Sequence, residues 1–285
     1  MTVKKIESDE PLELYVFDDE VPKALQKEVY ENMLDMEFHV NWYDSPASRY
    51  YPRTKEYDHS KKNPSVHRCP LAWDDESLCH RAPVVYKLWE HIRDNVLTKV
   101  SDTAFEIEGR AEGMPNYMRG ISPRYGERGT DGIGWNVYFH GIENYNLKKP
   151  KAIHRDNHRP EKDGYYTLVY FTNDEWYPSD FGETIFWGSD PERKTGDYTG
   201  RYESDQKRDF PIGPAVATVS PLPGRFMLYD SRFLHGTKPC HPRAKEMLYG
   251  LVFRISKVGI AQRDGNVASD LIPYEQSDFS NHEGV

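Results

Sequence analysis

The stretch Lys151-Ala152-Ile153-His154-Arg155-Asp156-Asn157-His158, followed after a polar break by Gly164-Tyr165-Tyr166-Thr167-Leu168-Val169-Tyr170-Phe171, decides how this chain folds. The second run is aromatic and β-branched, the composition of a buried strand. The first run sets an imidazole and a carboxylate on either side of one residue. On an extended strand side chains alternate, so His154 and Asp156 project from one face and can meet one ion. Far downstream, Phe233-Leu234-His235-Gly236-Thr237 holds another histidine. From a different strand it would complete two histidines and one carboxylate, a set that leaves open positions on a non-heme Fe(II). A His-x-Asp has little weight alone in a chain with 11 His and 46 acidic residues, so context decides.

Downstream of this motif, residues 181–187, 216–220 and 226–229 read as short strands, the last two joined by the turn Pro221-Leu222-Pro223-Gly224-Arg225. The last strong strand spans 245–255, and a polar, glycine-bearing excursion at 188–209 reads as a mobile surface insertion. Upstream, Trp135, Asn136, Val137, Tyr138 and Phe139 form a strand, and 104–107 is a possible short one. Leu12-Glu13-Leu14-Tyr15-Val16-Phe17 alternates enough for another. Pro22 suits a helix start, where its missing amide has no intrahelical partner. Leu25, Val29, Met33 and Met36 then recur at helical spacing, as do Val84, Leu88, Ile92 and Val96 in a second helix at 83–97. The two helices can shield the outside of a strand layer. Between them, residues 38–75 are punctuated by Pro46, Pro52, Pro64 and Pro70 and read as loops, with Tyr50-Tyr51-Pro52-Arg53-Thr54-Lys55 an ordered surface loop rather than a regular element.

Many short strands with turn punctuation, after an N-terminal helical part, predict a mainly β fold with flanking helices: a double-sheet jelly roll, cupin-like. One domain over 1–285 is expected, with a helical and loop-rich part at 1–133, a β core at 134–258 and a polar tail at 259–285.

Composition narrows the function classes. The 285 residues can bury a sizeable core. A formal charge of -9, without a long Lys or Arg block, speaks against nucleic acid as a partner. Three cysteines, Cys69, Cys79 and Cys240, are too few for a disulfide scaffold and lack zinc-like spacing. The opening residues are followed by acids rather than an apolar run, and no apolar stretch approaches membrane-spanning length, so a cytoplasmic protein is expected. The 20 Tyr, 12 Phe and 6 Trp, beside 20 Pro and 20 Gly, favour strands joined by irregular loops over a helical bundle.

The segment from about 135 to 255 resembles the double-stranded β-helix core of the 2-oxoglutarate and Fe(II)-dependent oxygenases, and within them the prolyl 4-hydroxylase-like branch. The pieces that carry the likeness are His154-Arg155-Asp156, the run Leu168-Val169-Tyr170-Phe171 with Asn173 and Trp176, Gly182-Glu183-Thr184, the turn and strand from Pro221 to Asp230, and His235. Each piece is weak alone. Together, in this order over about 120 residues, they are specific. Phe181 departs from the pattern, standing where the first glycine of a Gly-Gly-Glu is usual, and the insertion at 188–209 enlarges the rim.

The resemblance implies that His154, Asp156 and His235 are the iron ligands. It places a basic residue near the start of the final strand, against the remote carboxylate of 2-oxoglutarate. Lys245 fits that offset and Arg243 is its rival. Tyr170 is similar to a strand tyrosine whose hydroxyl touches the same carboxylate, and Tyr138 is a further candidate contact. The implied cofactors are Fe(II), 2-oxoglutarate as co-substrate and O2, with ascorbate as a possible stimulant. The implied reaction hydroxylates an unactivated C–H bond and releases succinate and CO2. The intact Asp156 argues against halogenation, since related halogenases replace that carboxylate with a small residue. A small polar metabolite or amino acid is the expected substrate, with a peptidyl proline as the alternative. Outside this chemistry, a non-catalytic β-helix protein that binds a metal or sugar is the competing expectation.

Overall fold

A computed structural model describes residues 2–6, 12–36, 38–40, 49–53, 56–57, 66–72, 75–107, 133–138, 156, 164–194, 211–238, 240–241 and 243–258. Among them two antiparallel sheets and three α-helices are formed. The larger sheet is built on β9 (Tyr165–Phe171), flanked by β12 (Phe226–Asp230) and β14 (Leu248–Lys257). Beyond β12 follow β2 (Leu14–Asp18) and β1 (Thr2–Ile6). Beyond β14 follow β8 (Ile133–Tyr138), β6 (Val66–Ala72), β3 (Phe38–Val40), β4 (Arg49–Tyr51) and β5 (Glu56–Tyr57), with β7 (Phe105–Ile107) also on β14. The smaller sheet sets β10 (Thr184–Lys194) between β11 (Pro211–Val219) and β13 (Leu234–Thr237).

The central strands are apolar on both faces, and their alternation separates two cores. Tyr15, Phe17, Tyr166, Leu168, Tyr170, Phe226, Leu228, Tyr249, Leu251, Phe253 and Ile255 point one way. They pack against α1 (Lys23–Leu34), through Val29 and Met33, and α3 (Pro83–Asn95), through Val85, Leu88, Trp89 and Ile92. The intervening Leu14, Val16, Val169, Phe171, Met227, Tyr229 and Leu248 point the other way and meet Phe186 and Val219 of the smaller sheet. Trp89 stacks on Phe253, with centroids 5.6 Å apart. Arg225 clamps Asp18 through two nitrogens, at 2.6 and 2.8 Å, and so ties β2 to the start of β12.

Three expectations are revised. Residues 38–75 are not a surface loop throughout: β3, β4, β5 and β6 extend the large sheet there, and α2 (Asp75–Arg81) begins at its end. Polar strand residues and Pro70 concealed this, because Pro cannot donate to a ladder; β6 accommodates it with a register shift between Pro70 and Ala72. The strand expected at 181–187 spans Thr184–Lys194, running through register shifts into the expected insertion, and its partner starts at Pro211 rather than at residue 216. Residues 195–210 lie outside the described residues. The last strand starts at Leu248 rather than at residue 245, because the Asn173 side chain takes up the chain just before it: Nδ2 donates to Met247 O at 2.8 Å and Oδ1 accepts from Tyr249 N at 2.9 Å.

No helix among the described residues is long and apolar enough to cross a membrane.

Candidate metal centre

Register builds the site. Tyr229 on β12 and Arg254 on β14 both lie directly opposite Thr167 on β9. The three therefore form one row across adjacent strands, on the face turned to the smaller sheet. Immediately after β12 the chain turns: Phe233 N donates to Asp230 O at 2.9 Å, and Arg232 wraps the Asp230 carboxylate with Nε at 2.9 Å and Nη2 at 2.6 Å. The turn carries the backbone from the large sheet to the small one, where His235 pairs with Phe186. Six residues apart in sequence, Tyr229 and His235 thus face each other from different sheets.

Asp156 sits at a bend above this row, not on a strand as the His-x-Asp spacing predicted. Its carboxylate is enclosed, with 3% of the side chain exposed. Thr167 Oγ1 and Tyr229 Oη each donate to Oδ2 at 2.8 Å, and Arg254 Nη2 donates to Oδ1 at 2.6 Å. Arg254 Nη1 also reaches Oδ2 and Thr167 Oγ1. Because the Thr167 proton is committed to Asp156, Ser231 Oγ, 3.1 Å away, donates to Thr167. The arginine is the ion-pair partner of the enclosed carboxylate, and the two hydroxyls donate to its Oδ2.

His235 Nε2 lies 3.5 Å from Asp156 Oδ2, and 7% of this side chain is exposed. Its Nδ1 donates to Phe233 O at 2.9 Å, which fixes the tautomer and leaves the Nε2 lone pair directed at the carboxylate. One imidazole nitrogen is thus held by a carbonyl, as in a metal-binding histidine, while Nε2 lies 3.1 Å from Tyr229 Oη and 3.5 Å from Asp156 Oδ2. Asp156 and His235 thus fit a divalent metal. Among the described residues no group of three His, Cys, Asp or Glu gathers at one point. His154 lies outside the described residues, as do the neighbours of Asp156 on either side.

The candidate co-substrate contacts fall elsewhere. Lys245 precedes β14 at the far end from Arg254; its side chain is 80% exposed and its Nζ pairs with Glu175 at 3.7 Å. Arg243 is exposed on the same turn. Tyr170 belongs to the helix-side core, on the face of β9 opposite to Thr167. Among the described residues its buried hydroxyl has no hydrogen-bond partner, and burial pushes its pKa up. The Tyr138 backbone pairs with Leu248 and Val66, and its side chain lies outside the described residues. The structure thus brings Asp156 and His235 together and leaves Lys245, Arg243 and Tyr170 away from them.

Arg254, Thr167 and Tyr229 were not singled out from the sequence for this role. A signal existed in each case. Arg254 is a charge inside an apolar strand, Thr167 the one threonine in an aromatic and aliphatic run, and Tyr229 shares the parity of Met227 rather than of Phe226 and Leu228.

No protein-family model matches the chain, and no curated protein matches its sequence. Among solved structures it is similar to a prolyl hydroxylase from Trichoplax adhaerens in complex with a hypoxia inducible factor peptide fragment, at 13% identity and a TM-score of 0.41 over 90% of this chain and 86% of the other. A prolyl-4-hydroxylase from Pseudomonas putida matches at 12% identity and a TM-score of 0.40, over 86% and 93%. HygX from Streptomyces hygroscopicus, with nickel and 2-oxoglutarate bound, matches at 11% identity and a TM-score of 0.44, over 86% and 83%.

Proposed function

We propose that this protein is an Fe(II) and 2-oxoglutarate-dependent dioxygenase with a double-stranded β-helix core, which hydroxylates an unactivated C–H bond of a small polar metabolite or amino acid. The observation that carries the proposal is the approach of Asp156 Oδ2 to His235 Nε2 at 3.5 Å, with the far nitrogen of the imidazole held by a backbone carbonyl. His154, by its place in the sequence motif, is assigned as the third ligand. When bound, the metal and co-substrate supply the oxidising chemistry: one atom of O2 enters succinate as CO2 leaves, and the other enters the product.

The chain's own residues orient and insulate this chemistry. Arg254 and Thr167 hold the Asp156 carboxylate in one rotamer, and the Phe233 carbonyl holds the His235 ring. Phe186 lies against His235 and Tyr229, at centroid distances of 5.9 and 5.1 Å, and walls the pair from bulk water. We reassign the basic residue of the final strand from Lys245 to Arg254, the arginine of β14 that turns to this face. The near-complete burial of both donors favours a small substrate over a peptide.

The test is incubation with Fe(II), ascorbate and 2-oxoglutarate, following succinate, with mass spectrometry of a metabolite and peptide pool for a gain of one oxygen. Succinate formation that is lost in Asp156→Ala and His235→Ala is expected. Turnover that survives either substitution overturns the assignment, and a gain of oxygen on peptidyl proline alone overturns its substrate.

A further inference from the structure

We propose that the Tyr229 hydroxyl is itself a donor to the metal that Asp156 and His235 would hold, occupying a coordination position in the resting protein. The inference rests on the metal site proposed above and adds a ligand to it. Tyr229 Oη lies 2.8 Å from Asp156 Oδ2 and 3.1 Å from His235 Nε2, and those two atoms are 3.5 Å apart. Two donors placed cis on an octahedral ion at about 2.1 Å stand about 3.0 Å apart, and about 3.4 Å on a tetrahedral one. The three sides of this triangle span that range. One ion can therefore sit at bonding distance from all three atoms without moving any of them far.

Packing holds the ring beside the two donors. β12 is buried along its length, Tyr229 meets Phe186 edge-on at 5.1 Å, and the His235 ring is 4.8 Å away. A phenylalanine would fill this space equally well; the hydroxyl adds a donor at the one point where two candidate ligand atoms converge. Coordination replaces the Oη–H bond by an Oη–metal bond, the proton leaves to solvent, and no electron is transferred. Four protein donors leave two positions on a six-coordinate ion. A bidentate keto acid and O2 need three, so the Oη–metal bond must break when the co-substrate arrives, Oη taking a proton back from solvent while the ring keeps its packing.

The experiment loads the full chain with iron(III) and records its visible absorption. An iron(III)-phenolate charge-transfer band is expected in the wild type, bleached by 2-oxoglutarate and absent in Tyr229→Phe. Metal affinity, titrated with Co(II), should fall about tenfold in the same variant. Near-UV circular dichroism checks that Tyr229→Phe keeps its packing. A band that persists in Tyr229→Phe, or that 2-oxoglutarate leaves unchanged, overturns the inference. So does a wild type that binds metal without the band. Asp156→Ala separates the two proposals. If it abolishes Co(II) binding while no phenolate band exists, only the Tyr229 ligand fails. If it binds Co(II) as tightly as the wild type, the metal site fails as well.

Discussion

Arg254 Nη2 stands 2.6 Å from Asp156 Oδ1, an ion pair that joins the last strand of the large sheet to a bend 98 residues earlier in the chain. With little of either side chain exposed, each charge depends on the other for its solvation. Arg254→Met should therefore cost about 3–5 kcal/mol in a urea melt, because it leaves a buried carboxylate unpaired. The double variant Arg254→Met/Asp156→Leu should recover most of that loss. Additive losses in the double variant would deny the coupling.

Lys245→Ala should change stability by less than about 0.5 kcal/mol, as expected of an exposed side chain with one long ion pair. Calorimetric titration of 2-oxoglutarate into the metal-loaded variant should give the wild-type affinity, and into Arg254→Lys a weaker one. The reverse order would return the co-substrate contact to Lys245.

Tyr170→Phe removes a buried hydroxyl that has no partner among the described residues, so thermal melting should show equal or greater stability, by about 1 kcal/mol. Succinate formation should persist, since this side chain lies across the sheet from Asp156. A variant that folds normally but loses 2-oxoglutarate binding would place its hydroxyl at the site after all.

The buried tyrosines also set an alkaline limit. Burial holds the phenols of Tyr170 and Tyr166 well above their ordinary range, with the Glu13 carboxylate adding to the effect at Tyr166. A group whose pKa is raised by folding binds its proton more tightly in the folded chain. Its stabilisation is complete below the unfolded value of about 10 and is lost as pH rises from there toward the folded value. The melting temperature should hold from pH 8 to about 10 and then fall, and it should fall less steeply in Tyr170→Phe.

Phe181 adopts φ 61° and Gly182 after it φ 85°. The first is a conformation that glycine tolerates and phenylalanine resists. The ring offsets this with a cation contact from Lys238 Nζ at 3.8 Å and an edge contact to His241 at 5.3 Å. Phe181→Ala should lose those contacts and keep the strain, while Phe181→Gly loses them and relieves it. Chemical denaturation should rank the glycine variant above the alanine variant by about 1 kcal/mol. Equal stabilities would mean that the backbone there is relaxed.

Period and composition made the centre of the fold legible. The alternation in β9 and β12 and the helical stripes through Val29 and Met33 and through Leu88 and Ile92 were all readable. The helix at 83–97 buries Leu88, Ile92 and Val96 as its stripe predicts, with Val84 partly buried against the same core, and adds Val85 and Trp89. Asp156 and His235 could be paired because a motif joined them. Arg254 could not be separated from the basic residues near the strand's start, because an offset along the chain carries no information on where the strand begins. The Asn173 side chain sets that start, a contact between residues 76 apart in the chain.

Tyr229, Thr167 and Arg254 alternate along their strands with the residues that pack on the helices. Slippage of β9 by a single position would swing Thr167 into the oil and present Leu168 or Tyr166 to Asp156. Assembly of the polar row is thereby proofread by the same apolar contacts that hold the sheet to its helices. A misaligned chain would forfeit its core before it could offer a defective centre.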